Sequence, residues 1–221
     1  MSAARRNGIS VPAKAPEPLT PEEFAAALDV SRETLERLKL YAALLVKWQK
    51  SINLVGPATL PDLWRRHFLD SAQLHALAPA GARVWLDLGS GAGFPGLVLA
   101  IMGAAEMHLV ESDSRKAIFM QEVLRETGTR AVLHRSRIEA LAPFAADVIT
   151  ARALAPLPEL LDLAAPFMQQ ETVCLLQKGQ DVGAELTAAT KCWKMHIERL
   201  PSRSDASGSS TILRLQRCQR V

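Results

Sequence analysis

The sequence has few cysteines, no long apolar run and little net charge, and each shortage excludes something. Its three cysteines, Cys174, Cys192 and Cys218, are far apart and outside any CxxC or His-x-His spacing. That pattern suits reduced core or surface thiols and gives no metal site to expect. No stretch reaches the roughly 18 uninterrupted apolar residues that a membrane span requires. The opening MSAARRNGISVPAKAPEP has arginines with no apolar run behind them, so a cytoplasmic protein is expected. The net charge of +3 is too small to indicate a nucleic-acid partner by itself. The positive charge is nevertheless clustered, at Arg65-Arg66-His67, Arg115-Lys116, Arg130 to Arg137 and in the tail at Arg214, Arg217 and Arg220. Solvated helix faces explain any one of these clusters about as well as RNA does.

What is present is apolar residue in quantity, 48% of 221 residues, enough for one large domain or a domain with an appendage. Residues 1–19 hold Pro12, Pro16 and Pro18 among small and charged residues and read as a flexible arm. Thr20-Pro21-Glu22-Glu23 supplies a capping hydroxyl, a first-turn proline and a glutamate at the third helical position. Ser31 caps a second helix whose Leu35, Leu38, Tyr41, Ala42, Leu45 and Trp48 form one apolar face. A third helix is expected from Thr59 to near Pro79, which makes residues 20–80 a helical extension.

From Val84 short apolar runs alternate with amphipathic segments. Parallel strands buried on both faces read as such runs, so residues 81–221 are expected to form an α/β, Rossmann-like, doubly wound sheet. Segments 192–199 and 211–217 have no helix between them and should pair as a hairpin, placing one antiparallel strand at or near an edge. The connector PSRSDASGSS reads as a loop.

The first strand-to-helix turn is the ligand position in such a sheet, and here it reads DLGSGAGFPG, residues 87–96. Gly91-x-Gly93-x-x-Gly96 has dinucleotide spacing, and Glu111, 22 positions after Gly89, suits two ribose hydroxyls. NAD and S-adenosylmethionine both fit these features. Asp87 is read as the discriminator, since a carboxylate before the turn disfavours a pyrophosphate and suits a cationic sulfonium. No substrate domain for a dehydrogenase follows. Ile138 is placed to pack on an adenine beside Glu139, for which a helix first-turn acid is the alternative. After the fourth strand, Arg152 stands where methyltransferases of exocyclic amines carry Asn/Asp-Pro-Pro-aromatic, which argues against an amino-group substrate.

Taken in order, Trp48 to Asn53-Leu54, Arg66-His67-Phe68-Leu69-Asp70-Ser71, Gly89 to Gly96, Glu111-Ser112 with Lys116, Ser136 to Glu139, Arg152-Ala153 and Lys178-Gly179 resemble the bacterial small-subunit ribosomal RNA guanine-N7 methyltransferases, the glucose-inhibited division protein B family. The resemblance implies a class I S-adenosylmethionine-dependent methyltransferase whose partner is small-subunit ribosomal RNA or the small ribosomal subunit, acting as a monomer. It implies cofactor contacts at Gly89, Phe94, Ile138, Glu139 and Arg152, to which the turn itself adds Asp87, Gly91, Gly93 and Glu111. Arg137, Arg152 and Lys178 are implied to line the RNA-facing pocket and are taken as the catalytic set. Lys178 has a further argument, because an unpaired ammonium at a buried strand end is costly. His67, Asp70 and Ser71 are implied near the pocket. A His67–Asp70 pairing at i,i+3 that holds helix to sheet explains them as well, and they are left out of the catalytic set. An NAD-dependent oxidoreductase and an RNA-binding protein without turnover remain as alternatives.

Overall fold

The computed structural model describes residues 17–205 and 210–221. Most of the expected N-terminal arm, residues 1–16, lies outside the described residues, as do four residues of the serine-rich connector. The last residues of the arm are tied down: Arg65 Nη2 donates to the Glu17 carbonyl at 2.6 Å, and Leu19 N–H donates to Asp62 Oδ1 at 2.8 Å.

Helix α1 (Pro21–Leu28) starts with Thr20 and Glu23 each satisfying the other's backbone N–H, and stops at Asp29, which takes a left-handed φ of 51°. Helix α2 (Arg32–Gln49) is capped by Ser31 and buries Leu35, Leu38, Tyr41, Ala42 and Leu45, the face its spacing predicts. The expected third helix is not continuous. Residues 57–77 form a 3₁₀ turn (Pro57–Asp62), a π turn (Trp64–Leu69), a short α3 (Asp70–Ala72) and a second 3₁₀ turn (His75–Leu77). Pro57 and Pro61 both fall in the 3₁₀ turn, whose first N–H groups have no intrahelical partner, so the donor missing at Pro57 costs little there. The π turn buries His67, Phe68 and Leu69.

A seven-stranded sheet follows. Its strands are β1 (Val84–Leu88), β2 (Glu106–Val110), β3 (Val132–His134), β4 (Val148–Arg152), β5 (Val173–Lys178), β6 (Trp193–Pro201) and β7 (Thr211–Arg220). The order is β3-β2-β1-β4-β5-β7-β6. The first five strands run parallel, and β7 is antiparallel to both β5 and β6. The hairpin thus inserts its second strand, leaving β6 at the edge and the one antiparallel strand next to it. The crossover helices are α4 (Gly96–Ile101), α5 (Ser114–Thr127), α6 (Leu157–Ala164) and α7 (Val182–Ala189).

Two apolar clusters cover the two faces. Phe24, Leu38, Tyr41 and Leu45 from the extension join Leu97, Phe119 and Met120 from α4 and α5 in one cluster. The other gathers Leu157, Leu160, Val182 and Ala189 with Leu86, Leu88 and Ile149. The extension is therefore part of the cover of one sheet face. Tyr41 is fully buried, stacks on Phe94 at 5.2 Å and donates its hydroxyl to the Ala92 carbonyl at 2.6 Å. This single tyrosine fastens α2 to the glycine-rich turn.

Candidate functional site

The order of the sheet reverses between β1 and β4, and the turns that leave their carboxyl ends splay apart there. A cavity of about 980 Å³ opens at this point. Its walls come from the turn after β1, the ends of β2, β4 and β5, the Ser136–Glu139 stretch, and, from the extension, Arg66, His67 and Asp70. Of the residues expected at the site, Gly89, Gly91, Phe94, Glu111, Arg137, Ile138, Glu139, Arg152 and Lys178 line it.

Asp87 and Gly93 are not among the lining residues. Side chains alternate along β1, so Asp87 shares a face with Trp85, toward α4, while Leu86 and Leu88 face the other cluster. The Asp87 carboxylate is fully buried, accepting from Gly96 N–H at 3.2 Å and from the Thr150 hydroxyl at 2.7 Å. Burial pushes its pKa up to about 6 against the opposing pull of those donors. The acid expected to face a cationic ligand instead braces the turn from inside, and it no longer discriminates between cofactors.

The glycines divide in the same way. A Cβ on Gly96 would lie 2.7 Å from Asp87 Oδ2, one on Gly93 would lie 2.9 Å from Tyr41 Oη, and one on Gly89 would lie 2.5 Å from a Leu154 methyl. Gly96 and Gly93 are needed for internal packing, whereas Gly89 lies in the cavity wall and meets only the end of the Leu154 side chain, which lines the same wall. Gly91, at φ +59°, has nothing closer than the Gly89 carbonyl at 3.8 Å, so it presents bare backbone to the cavity. Its N–H donates to Glu111 Oε2 at 2.8 Å, and Asp113 N–H donates to Glu111 Oε1 at 2.7 Å. Each carboxylate oxygen keeps a lone pair, so Glu111 is oriented by backbone and still free to accept ligand hydroxyls. Ile138 is buried beside exposed Arg137 and Glu139, on a 3₁₀ turn (Ile138–Ala140). This arrangement of an open glycine, an oriented carboxylate and an apolar wall fits an adenosine-containing cofactor.

Opposite that cradle stands Arg152, whose side chain is 21% exposed. Its guanidinium carbon lies 5.0 Å from the centre of the Phe94 ring, and Nη1 donates to His67 Nδ1 at 2.9 Å, with the Arg66 carbonyl at 3.5 Å and Asp70 Oδ2 at 3.8 Å. Nε and Nη2 have no hydrogen-bond partner among the described residues. The expected His67–Asp70 pairing is thus replaced by two separate partnerships. His67 holds Arg152, whereas Asp70 Oδ1 accepts from Gln73 at 3.1 Å, Ser202 at 2.8 Å and Ser204 at 2.7 Å. Those serines belong to the β6–β7 connector, which sequence composition marks only as a loop. Burial, aided by Arg152 and Arg66, brings the His67 pKa down to about 3, so the imidazole is neutral.

Lys178 departs from expectation. Its side chain is 6% exposed, but the ammonium is paired: Nζ lies 2.7 Å from Glu185 Oε2 and donates to the Ala155 carbonyl at 2.6 Å. Glu185 Oε2 also accepts from Leu157 N–H at 2.7 Å. Lys178 therefore clips the turn after β4, whereas Arg137 forms no side-chain ion pair or hydrogen bond among the described residues. Sequence reasoning placed His67 and Asp70 near the pocket without a catalytic role and left out Thr59, Gln177, Ser202 and Ser204; all six are in the wall. The Arg66-His67-x-x-Asp70 spacing was the one available signal.

Residues 34–209 match the family described as rRNA small subunit methyltransferase G. A ribosomal RNA small subunit methyltransferase G from Rhodospirillum rubrum is 58% identical over 203 residues, covering 92% of this chain and all of its own. Among solved structures, the mitomycin 7-O-methyltransferase MmcR aligns with a TM-score of 0.55 at 15% identity, over 91% of this chain and 73% of its own. M. jannaschii TYW2 in complex with AdoMet aligns with a TM-score of 0.53 at 12% identity, over 69% of this chain and 77% of its own. At these identities the structural likeness speaks for the class I methyltransferase fold alone.

Proposed function

The chain belongs to the rRNA small subunit methyltransferase G family, and from that premise we propose that its cavity transfers a methyl group from S-adenosylmethionine to N7 of a guanine in small-subunit ribosomal RNA. The cofactor supplies an electrophilic methyl on a cationic sulfur. Gly91, Glu111 and Ile138 would hold it. The observation that carries the reading is the union, in one cavity, of that cradle with a half-buried arginine whose Nε and Nη2 stay unbonded among the described residues.

Guanine N7 carries an in-plane lone pair and no hydrogen, so no residue has to remove a proton. The task of the chain is positioning, worth several kcal/mol when nucleophile and methyl are held in line. Arg152 donates to the guanine O6, a pairing that suits a guanidinium. The product base becomes cationic, and bare cations beside it would oppose the step. The structure supplies counter-charges: Asp70 lies 3.8 Å from Arg152, and Glu185 lies 2.7 Å from Lys178. Arg137, exposed at the rim, is left for phosphate, which positions the RNA without reading sequence. N7 in an A-form helix lies in a groove too narrow for a protein domain, so the target guanine is unstacked or in a loop. We take the substrate to be a structured small-subunit particle or its rRNA, and the protein to act as a cytoplasmic monomer.

The test is transfer of label from S-adenosylmethionine to small subunits or rRNA from a strain lacking the enzyme, with N7-methylguanine mapped by borohydride and aniline cleavage. Tight binding of cofactor and RNA without product would establish a binding protein instead, and nicotinamide cofactor binding in calorimetry would reinstate the oxidoreductase.

A further inference from the structure

We infer that His67 is a positioning residue for methyl transfer: held as one tautomer by Thr59, it keeps the Arg152 guanidinium against Phe94 with Nε and Nη2 free for the acceptor base. The inference rests on the methyltransferase reading above and adds a residue to it.

The tautomer follows from counting hydrogens. Thr59 Oγ1 donates its only hydrogen to the Gly56 carbonyl at 2.7 Å, so toward His67 Nε2, also 2.7 Å away, it can only accept. Nε2 therefore carries the proton. Nδ1 is left with its lone pair, which faces Arg152 Nη1 at 2.9 Å. The opposite tautomer would set N–H against N–H at Arg152, and an imidazolium would add charge repulsion to that. The relay from Arg152 through His67 and Thr59 to Gly56 has one direction of donation, and its end is a backbone carbonyl. Arg152, His67, Thr59 and Gly56 all line the cavity, as does Phe94, whose ring centre is 5.0 Å from that of His67.

The π turn makes this possible. His67 is only 7% exposed although it sits in the extension, because the turn directs it under the guanidinium rather than outward. Arg66 and Arg152 both act on the ring as positive neighbours, and Asp70 is engaged by Ser202, Ser204 and Gln73. Burial together with those cations maintains the neutral form that the geometry requires.

Two variants test this in the full chain. His67→Phe keeps a ring beside Phe94 and removes the acceptor; Thr59→Val keeps shape and removes the tautomer lock. For transfer to small-subunit rRNA, kcat should fall about tenfold or more in His67→Phe and several-fold in Thr59→Val, with KM for rRNA within about twofold, since one positioning hydrogen bond is lost. Nitrogen NMR of the wild-type imidazole, which needs no substrate, should show one protonated and one bare nitrogen, with exchange-averaged signals in Thr59→Val. Unchanged kcat in both variants, a loss confined to KM, or a wild-type imidazole protonated on Nδ1 overturns the inference. If His67→Phe does not fold, Thr59→Val decides. Failure of wild-type protein to methylate any rRNA sinks the functional reading instead, and the NMR result still decides the local one.

Discussion

At the residue scale, two buried titratable groups pull stability in opposite directions with pH. Asp87 is raised in the fold from an ordinary 3.8 to about 6, so its contribution is full below about pH 4 and is lost as pH rises through 6. The loss is of order 3 kcal/mol at about 1.4 kcal/mol per pKa unit. His67 is lowered from 6.5 to about 3, so the unfolded chain takes up a proton that the fold refuses. Its contribution is full above pH 6.5 and disappears as pH falls toward 3. Urea unfolding at several pH values should show Asp87→Asn gaining stability relative to the parent between pH 4 and 7; a constant difference would remove the ionised buried carboxylate from the account. The glycines make a second prediction. Gly96→Ala overpacks the interior against Asp87 and should cost about 1–3 kcal/mol in a thermal melt. Gly91→Ala meets open space, so beyond about 1 kcal/mol of left-handed backbone strain its effect should appear as weaker S-adenosylmethionine binding in calorimetry. Equal effects of the two substitutions would contradict the division of the turn into packing and ligand-facing glycines.

At the scale of elements, the site is assembled by two clamps between segments far apart in the chain. Asp70 and Gln73 in the extension grip the β6–β7 connector through Ser202, Ser204 and the Arg203 N–H, and Gln177 on β5 donates to the Asp70 carbonyl at 2.8 Å. Lys178 on β5 and Glu185 on α7 grip the turn after β4 at Ala155 and Leu157. The second clamp separates two roles for Lys178. If Lys178 served mainly as a free phosphate contact, Glu185→Gln would release it and raise RNA affinity. As a clamp it should do the reverse: Glu185→Gln should lower kcat and cost about 1–3 kcal/mol of stability, since a largely buried ammonium loses its counter-ion. Unfolding curves and methyl-transfer assays on the one variant give both readouts. The π turn was not legible in advance, because apolar spacing over 59–78 is shared by a regular helix and by the broken one that formed.

At the scale of the molecule, two exposed arginines at the cavity rim, Arg66 and Arg137, without side-chain partners among the described residues, and a net charge of +3 make RNA binding a matter of a few phosphate contacts. Affinity for rRNA should fall with salt, and Arg137→Ala should reduce the slope of log affinity against log salt by about 1, leaving the catalytic step itself intact. An unchanged slope would place Arg137 away from phosphate. No helix among the described residues is long and apolar enough to cross a membrane. The sequence by itself determined the alternation of strands and helices, the position of the ligand turn, and the presence there of Glu111, Ile138 and Arg152, because hydrophobic period and turn chemistry are local properties of the chain. Only the tertiary structure decided that Asp87 faces inward, that Lys178 is already paired, that His67 holds Arg152, and that Ser202 and Ser204 reach the cavity beside Asp70. Those outcomes depend on which face a side chain takes and, except at Lys178, on what arrives from residues more than fifty positions away. Hydrogen bonds such as Asp87 to Thr150, Arg152 to His67 and Asp70 to Ser202 are properties of packing, and no local pattern encodes them.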